Sequence, residues 1–184
     1  MKKPDHIVEI FLQPGDYYFG DRDTRIRTVL GSCVSITAWH PKRLIGGMCH
    51  YMLPTRKRGA SDALDGRYAD EAMAMFLRDI TAAGTRSGEY EVKLFGGGNM
   101  FPNANEQRTD CKDKLCNPIE TTCRRVSCRN ERTALVLANH YGLKIQASNL
   151  GGDGHRQIFF DIWTGHVWVK HNPIAAPINI TVTD

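Results

Sequence analysis

Two residues in the first third of this 184-residue chain could together carry out nucleophilic chemistry. Cys33 stands in Leu30-Gly31-Ser32-Cys33, between two stretches rich in strand formers. A bend at a strand start can expose a thiol and aim neighbouring backbone N–H groups, here around Gly31, Ser32 and Cys33, at a developing oxyanion. A cysteine nucleophile also needs a base that holds the thiolate and protonates the leaving group. Of seven histidines, His50 is the best placed, in Gly47-Met48-Cys49-His50-Tyr51-Met52-Leu53-Pro54, where antiparallel pairing would bring it beside Cys33. Each residue has a plainer reading. Cysteine is among the most buried residue types, and His50 could be an ordinary exposed strand histidine. His6, His40 and His171 fall in turns or tails, and His155 in a glycine-rich turn. His140 lies near a helix end, where its charge suits the helix dipole.

The elements that must position these residues alternate poorly for a doubly wound sheet. Ile7–Leu12, Ile26–Leu30, Cys33–Trp39 and Leu44–Leu53 read as strands, with a turn-rich stretch between the first two. Residues 55–67 are polar and read as a mobile loop. A helix is expected over Tyr68–Ala83, where Ala69, Ala72, Met73, Phe76, Ile80 and Ala83 recur at helical spacing and Gly84 follows as a stop. A second helix is expected over Arg129–Tyr141, ended by Gly142. Strands at Tyr90–Phe95, Leu143–Ala147, Gln157–Ile162 and His166–Lys170 complete the order, with a hairpin turn at Trp163-Thr164-Gly165. This predicts an α+β fold with helices on one face of mostly antiparallel strands. Gly96-Gly97-Gly98 and Gly151-Gly152-Asp153-Gly154 are neither a Walker loop nor a dinucleotide fingerprint. They read as close-packed turns able to wall a cleft.

Length predicts one domain over 1–184, with a short C-terminal arm at 172–184. A formal charge of +4 with scattered bases gives no support to nucleic-acid binding. No apolar run approaches the ~20 residues of a membrane span, so no membrane insertion is expected. The start of the chain lacks a signal-peptide stretch. The expectation is a protein of the reducing cytoplasm whose six cysteines are thiols. Residues 102–128 stand out as an insertion with nine charged side chains and four cysteines. Cys111, Cys116, Cys123 and Cys128 are spaced C-x4-C-x6-C-x4-C, looser than the pairs of most structural zinc sites. A metal, disulfides formed on oxidation and free thiols all remain open for them.

The ordered set Leu30-Gly31-Ser32-Cys33, Gly46-Gly47 and His50-Tyr51-Met52-Leu53-Pro54 resembles CheD, the chemoreceptor glutamine deamidase family of bacterial chemotaxis. Arg67-Tyr68-Ala69-Asp70, Lys93-Leu94-Phe95-Gly96-Gly97, Arg129-Asn130, Leu150-Gly151-Gly152-Asp153 and Phe160-Asp161 through Thr164-Gly165 follow in family order over residues 6–170. The resemblance implies a three-layer α/β/β sandwich similar to the catalytic domain of deamidating bacterial toxins. It implies a Cys-His-Thr catalytic set, matched by Cys33, His50 and, a few residues before the cysteine, Thr28 beside Arg27. It also implies a receptor glutamine as substrate, on the cytoplasmic helical hairpin of a methyl-accepting chemotaxis receptor, and no cofactor. A CheC-type phosphatase is an implied binding partner, so a regulatory binding role is one alternative. Another cysteine amidohydrolase is a second. Typical relatives have a shorter loop where this chain carries residues 102–128.

Overall fold

The computed structural model describes residues 3–56, 59, 63–101 and 125–174. Nine strands and two α-helices occur among them: β1 (Val8–Phe11), β2 (Tyr17–Gly20), β3 (Thr24–Leu30), β4 (Val34–His40), β5 (Ile45–Cys49), α1 (Ala69–Ala82), β6 (Glu91–Gly96), α2 (Val126–His140), β7 (Lys144–Leu150), β8 (His155–Asp161) and β9 (His166–Asn172). They form two sheets, ordered β1-β3-β8-β9 and β2-β5-β4-β6-β7. Five of the pairings are antiparallel, while β1–β3 and β6–β7 are parallel.

Strand alternation decides which side each residue serves. In β4, Val34, Ile36 and Ala38 join Cys49, Tyr51, Val92 and Leu94 against Ala72, Met73, Phe76 and Ile80 of α1 and Ala134 and Ala138 of α2. Both helices therefore pack on one face of the five-stranded sheet. Its other face meets the four-stranded sheet through Met48, Phe95, Ile26, Leu30, Ile158 and Phe160. Trp39 reinforces this second layer, its indole N–H donating to the Ile162 carbonyl at 2.7 Å. The mixed α+β expectation holds, and so does the α1 stripe, with Ala69, Ala72, Met73, Phe76 and Ile80 buried, whereas the apolar residues that α2 buries are Ala134 and Ala138 and Tyr141 after it is exposed.

Several element boundaries differ from the sequence expectation. Tyr17–Gly20, inside the stretch read as turns, is a strand paired with β5. Its four residues are hidden between Pro14-Gly15 and Gly20-Asp21, too short to show a period of two. The strand expected over Leu44–Leu53 stops at Cys49, and Tyr51 and Leu53 make only isolated bridges. The break has a cause: His50 N–H turns to the Asp16 carbonyl, and the His50 carbonyl accepts from Gly15 N–H. α2 starts at Val126, so residues 126–128 belong to it rather than to the insertion. Residues 102–124 of the insertion lie outside the described residues. Asn172 closes β9 opposite His155 and so is not part of the expected C-terminal arm, of which 175–184 lie outside the described residues. His40, His155 and His171 sit in strands, not in turns or a tail.

The described part of the 55–67 loop is hydrogen-bonded to α1 and to the segment after His50. The buried Glu71 carboxylate on α1 accepts from the Arg56 guanidinium at 2.8 Å and from Asp65 N–H at 2.8 Å. Arg67 O receives the N–H groups of Met52 and Leu53, fastening the same loop beside His50.

Candidate active site

Residues 31–33 form the crossing from β3 in one sheet to β4 in the other. Val34 and Tyr51 bridge through reciprocal bonds of 3.1 and 3.0 Å, continuing the β4–β5 register in which Thr37 faces Met48. That register sets Cys33 diagonal to His50 on the face opposite Val34 and Tyr51. Diagonal neighbours on adjacent antiparallel strands are within reach of one another. Val34 and Tyr51 face the helices, so Cys33 and His50 face the layer between the sheets. Cys33 packs against the inter-sheet core and stays partly exposed, whereas His50 is buried.

Thr28 enters from the opposite sheet. It alternates with Ile26 and Leu30 on the inward face of β3 and is buried. Its hydroxyl donates to the Leu12 carbonyl at 2.8 Å and lies 2.8 Å from His50 Nδ1. A hydroxyl carries one hydrogen. With that hydrogen on Leu12 O, Thr28 Oγ1 can only accept from His50, which places the ring proton on Nδ1. Nε2 then carries the lone pair, and it is buried with no hydrogen-bond partner among the described residues. The imidazole is thus oriented at one nitrogen and open at the other.

The electrostatics keep both partners neutral at rest. Burial holds the His50 imidazole down to about 4, partly countered by the Leu12 carbonyl and the Asp16 carboxylate. Burial pushes the Cys33 thiol up. A thiol and a neutral base, rather than a thiolate–imidazolium pair, is the resting arrangement.

The crossing is held on its other side by glycine backbones. Gly97 N–H donates to Cys33 O and Gly98 N–H to Gly31 O, both at 2.8 Å. Gly96 has φ +114°, and a Cβ there would fall on the Cys33 carbonyl oxygen, so this close approach requires glycine. Gly31 does not have a positive φ. Its part is to admit Met100, whose sulfur would stand 3.0 Å from a Cβ at that position. The backbone N–H groups of Ser32 and Cys33 make no hydrogen bond within the described residues. Ser32 borders a cleft of about 260 Å³ with Gly98, Met100, Phe101 and Val126, and Phe101 is largely exposed. The glycine turns are therefore both close packing and cleft wall.

Of the four insertion cysteines, Cys111, Cys116 and Cys123 lie outside the described residues. Cys128 is half-buried in the first turn of α2 and lines a separate cleft with Glu131 and Gly151. One contributor was missed in the sequence except as part of a motif: Asn130, fully buried, whose side-chain N–H groups reach Ser32 O and Met52 O. Its polarity on the helical face that also buries Ala134 and Ala138 was the available signal.

The fold and site together define a layered α+β protein with a cysteine, a histidine and a threonine converging between its sheets. The chain belongs to the CheD family: residues 52–171 match the family described as CheD chemotactic sensory transduction. That match starts after His50, but similarity to individual relatives spans nearly the whole chain. It is 49% identical to a probable chemoreceptor glutamine deamidase CheD of Pseudomonas fluorescens (strain SBW25), covering 95% of this chain and 91% of that protein. It is 46% identical to a protein of Dechloromonas aromatica (strain RCB) named probable chemoreceptor glutamine deamidase CheD 3, covering 90% and 89%. A Leptospira interrogans protein named probable chemoreceptor glutamine deamidase CheD 1 is 37% identical over 91% and 95%. No helix among the described residues is long and apolar enough to cross a membrane.

Proposed function

We propose that this chain deamidates glutamine side chains of bacterial chemoreceptors, acting in the cytoplasm on the receptor's helical hairpin. Cys33 is the nucleophile, His50 the general base and acid, and Thr28 the group that orients the ring. The observation that carries this reading is the Thr28–His50 hydrogen bond, which leaves Nε2 as a base without a partner among the described residues, on the face Cys33 shares.

The chemistry follows from these protonation states. As Cys33 Sγ attacks the amide carbon, Nε2 takes the thiol proton, so no stable thiolate is needed beforehand. The N–H groups of Ser32 and Cys33 receive the developing oxyanion. The imidazolium keeps Nδ1–H on Thr28 and gives its Nε2 proton to the departing ammonia. A thioester remains. His50 Nε2 then draws a proton from water, the hydroxide adds to the thioester carbon, and collapse returns the proton to sulfur and releases glutamate. The cleft beside Ser32 is the entry for the glutamine side chain. The same reading extends to the fold: helices, five-stranded sheet and four-stranded sheet correspond to the three layers of the catalytic domain of deamidating bacterial toxins.

The test is mass spectrometry of a receptor cytoplasmic domain incubated with the protein. A gain of about 1 Da at particular glutamines, with ammonia released in equal amount, is expected. Unmodified receptor with a folded, thiol-intact protein would overturn the reading.

A further inference from the structure

Asn130 occupies the first turns of α2, on the helix layer rather than in the inter-sheet site, and is completely buried. Its Nδ2 donates to two carbonyls, Ser32 O at 3.1 Å and Met52 O at 2.8 Å. Ser32 immediately precedes Cys33. Met52 follows His50 by two residues, opposite Cys33 in the strand register. One amide nitrogen therefore ties the nucleophile's segment to the base's segment at the point where regular β4–β5 pairing has ended. The Tyr51 hydroxyl donates to the Asn130 main-chain carbonyl at 2.6 Å and fixes the helix turn from which this side chain projects.

The chemistry of the contact selects the residue. Two carbonyls facing one point need two N–H donors, which an amide supplies and a carboxylate does not. The amide is kept although its other end is poorly served: Oδ1 is buried with no partner among the described residues. Burying an unpaired acceptor costs free energy, so stability alone would favour an apolar side chain here. Geometry gives the alternative reason. The Ser32–Cys33 N–H groups and the thiol must keep their distance from His50 Nε2, and nothing in the ladder beyond the Val34–Tyr51 bridge enforces it.

We propose that Asn130 is a positioning residue for the reaction, clamping the Cys33 loop to the segment after His50. The proposal rests on the reading of Cys33 and His50 as the catalytic pair. It differs from a packing role in what it affects: the alignment of thiol, oxyanion donors and base, hence turnover more than substrate binding.

The experiment compares Asn130→Ala, Asn130→Asp, Cys33→Ala and Ala138→Gly in the full chain. Ala138 is equally buried on α2, away from the site, so its glycine variant destabilises the helix without touching the clamp. Readouts are kcat and KM for receptor deamidation, thermal stability, and the pH profile of Cys33 alkylation by iodoacetamide. Misplacement of reacting groups by about 1 Å costs up to about a hundredfold. Asn130→Ala should lose about tenfold to a hundredfold in kcat with KM within about twofold, and its alkylation profile should shift. Asn130→Asp, which sets lone pairs against two carbonyls, should lose more. Ala138→Gly should lose stability and keep kcat. Equal kcat loss in Asn130→Ala and Ala138→Gly at matched stability, or an unchanged kcat and alkylation profile in Asn130→Ala, would overturn the clamp. Full activity in Cys33→Ala would overturn the catalytic reading itself, a separate outcome.

Discussion

Thr28 on the four-stranded sheet and His50 at the end of β5 in the five-stranded sheet meet through one hydrogen bond, 2.8 Å from Oγ1 to Nδ1. The pair is buried, and the threonine's own proton is committed to Leu12 O. Inter-sheet packing thereby becomes a choice of imidazole tautomer, because only the Nδ1–H form satisfies all three groups.

Thr28→Val keeps the shape and removes the acceptor. Turnover should fall about tenfold to a hundredfold as the ring loses its orientation. Thr28→Ser should retain most activity. Nitrogen NMR of the labelled protein checks the cause: His50 should be Nδ1-protonated in the native protein and lose that preference in Thr28→Val. A native tautomer in an inactive Thr28→Val protein would assign the loss to something else.

Of the three described thiols, Cys33 and Cys49, on opposite faces of the five-stranded sheet, should behave oppositely. Cys33 is partly exposed, while Cys49 is fully buried in the helix-side core, which pushes its thiol up to about 12. Cys33→Ala should lower turnover about a thousandfold or more with native-like circular dichroism, as expected when one member of a catalytic unit is removed. Peptide mapping after brief iodoacetamide treatment should find Cys33 modified and Cys49 untouched. Cys49→Ala should stay active.

Stability should depend on pH through His50. Its pKa is about 4 in the fold against 6.5 for an ordinary histidine. Between these values the unfolded chain binds the extra proton, so the stability contributed by neutral His50 is complete above 6.5 and is lost as pH falls toward 4. The difference is worth about 3 kcal/mol. Glu131 acts in the opposite sense, since burial raises its carboxyl from 4.5 to about 7 and its contribution declines as pH rises through that window. The measurement is therefore a difference. In urea melts of native protein and His50→Asn, the stability difference, native minus variant, should rise as pH goes from 4 to 6.5, because the opposing Glu131 contribution is common to both. The acid limb of kcat/KM should correspondingly fall near pH 4 rather than 6.5.

The four-stranded sheet carries a buried ion pair that should matter to folding rather than to chemistry. Arg25 Nε meets Asp161 Oδ1 at 2.6 Å, with both side chains almost fully buried, and Trp168 Nε1 donates to the same carboxylate at 3.2 Å. Asp161→Ala leaves a guanidinium buried without its counter-charge and should cost about 3–5 kcal/mol. Replacing both partners by apolar residues, Arg25→Met with Asp161→Leu, should recover much of that loss. Chemical denaturation of the single and double variants decides it, and an additive pair of losses would refute the coupling.

What the sequence determined by itself is largely local. The helical stripes at Ala69–Ile80 and Ala134–Ala138 declare their buried faces, because a period near 3.6 survives without any knowledge of partners. Gly84 and Gly142 stop their helices in the left-handed conformation their positions suggested, at φ +67° and +64°. The residue types at Cys33 and His50 announced the available chemistry, and their order with the flanking motifs carried the family resemblance. The tertiary structure alone decided how they meet. Tyr17–Gly20 becomes a strand only because β5 offers it a ladder, and His50 leaves that ladder only because Gly15 and Asp16 take its backbone groups. Thr28 and Asn130 are distant in sequence from the residues they hold, and no local pattern says which residues those are. Their roles arise when two sheets and a helix are stacked, since a hydrogen bond between layers depends on register and packing that no single segment specifies.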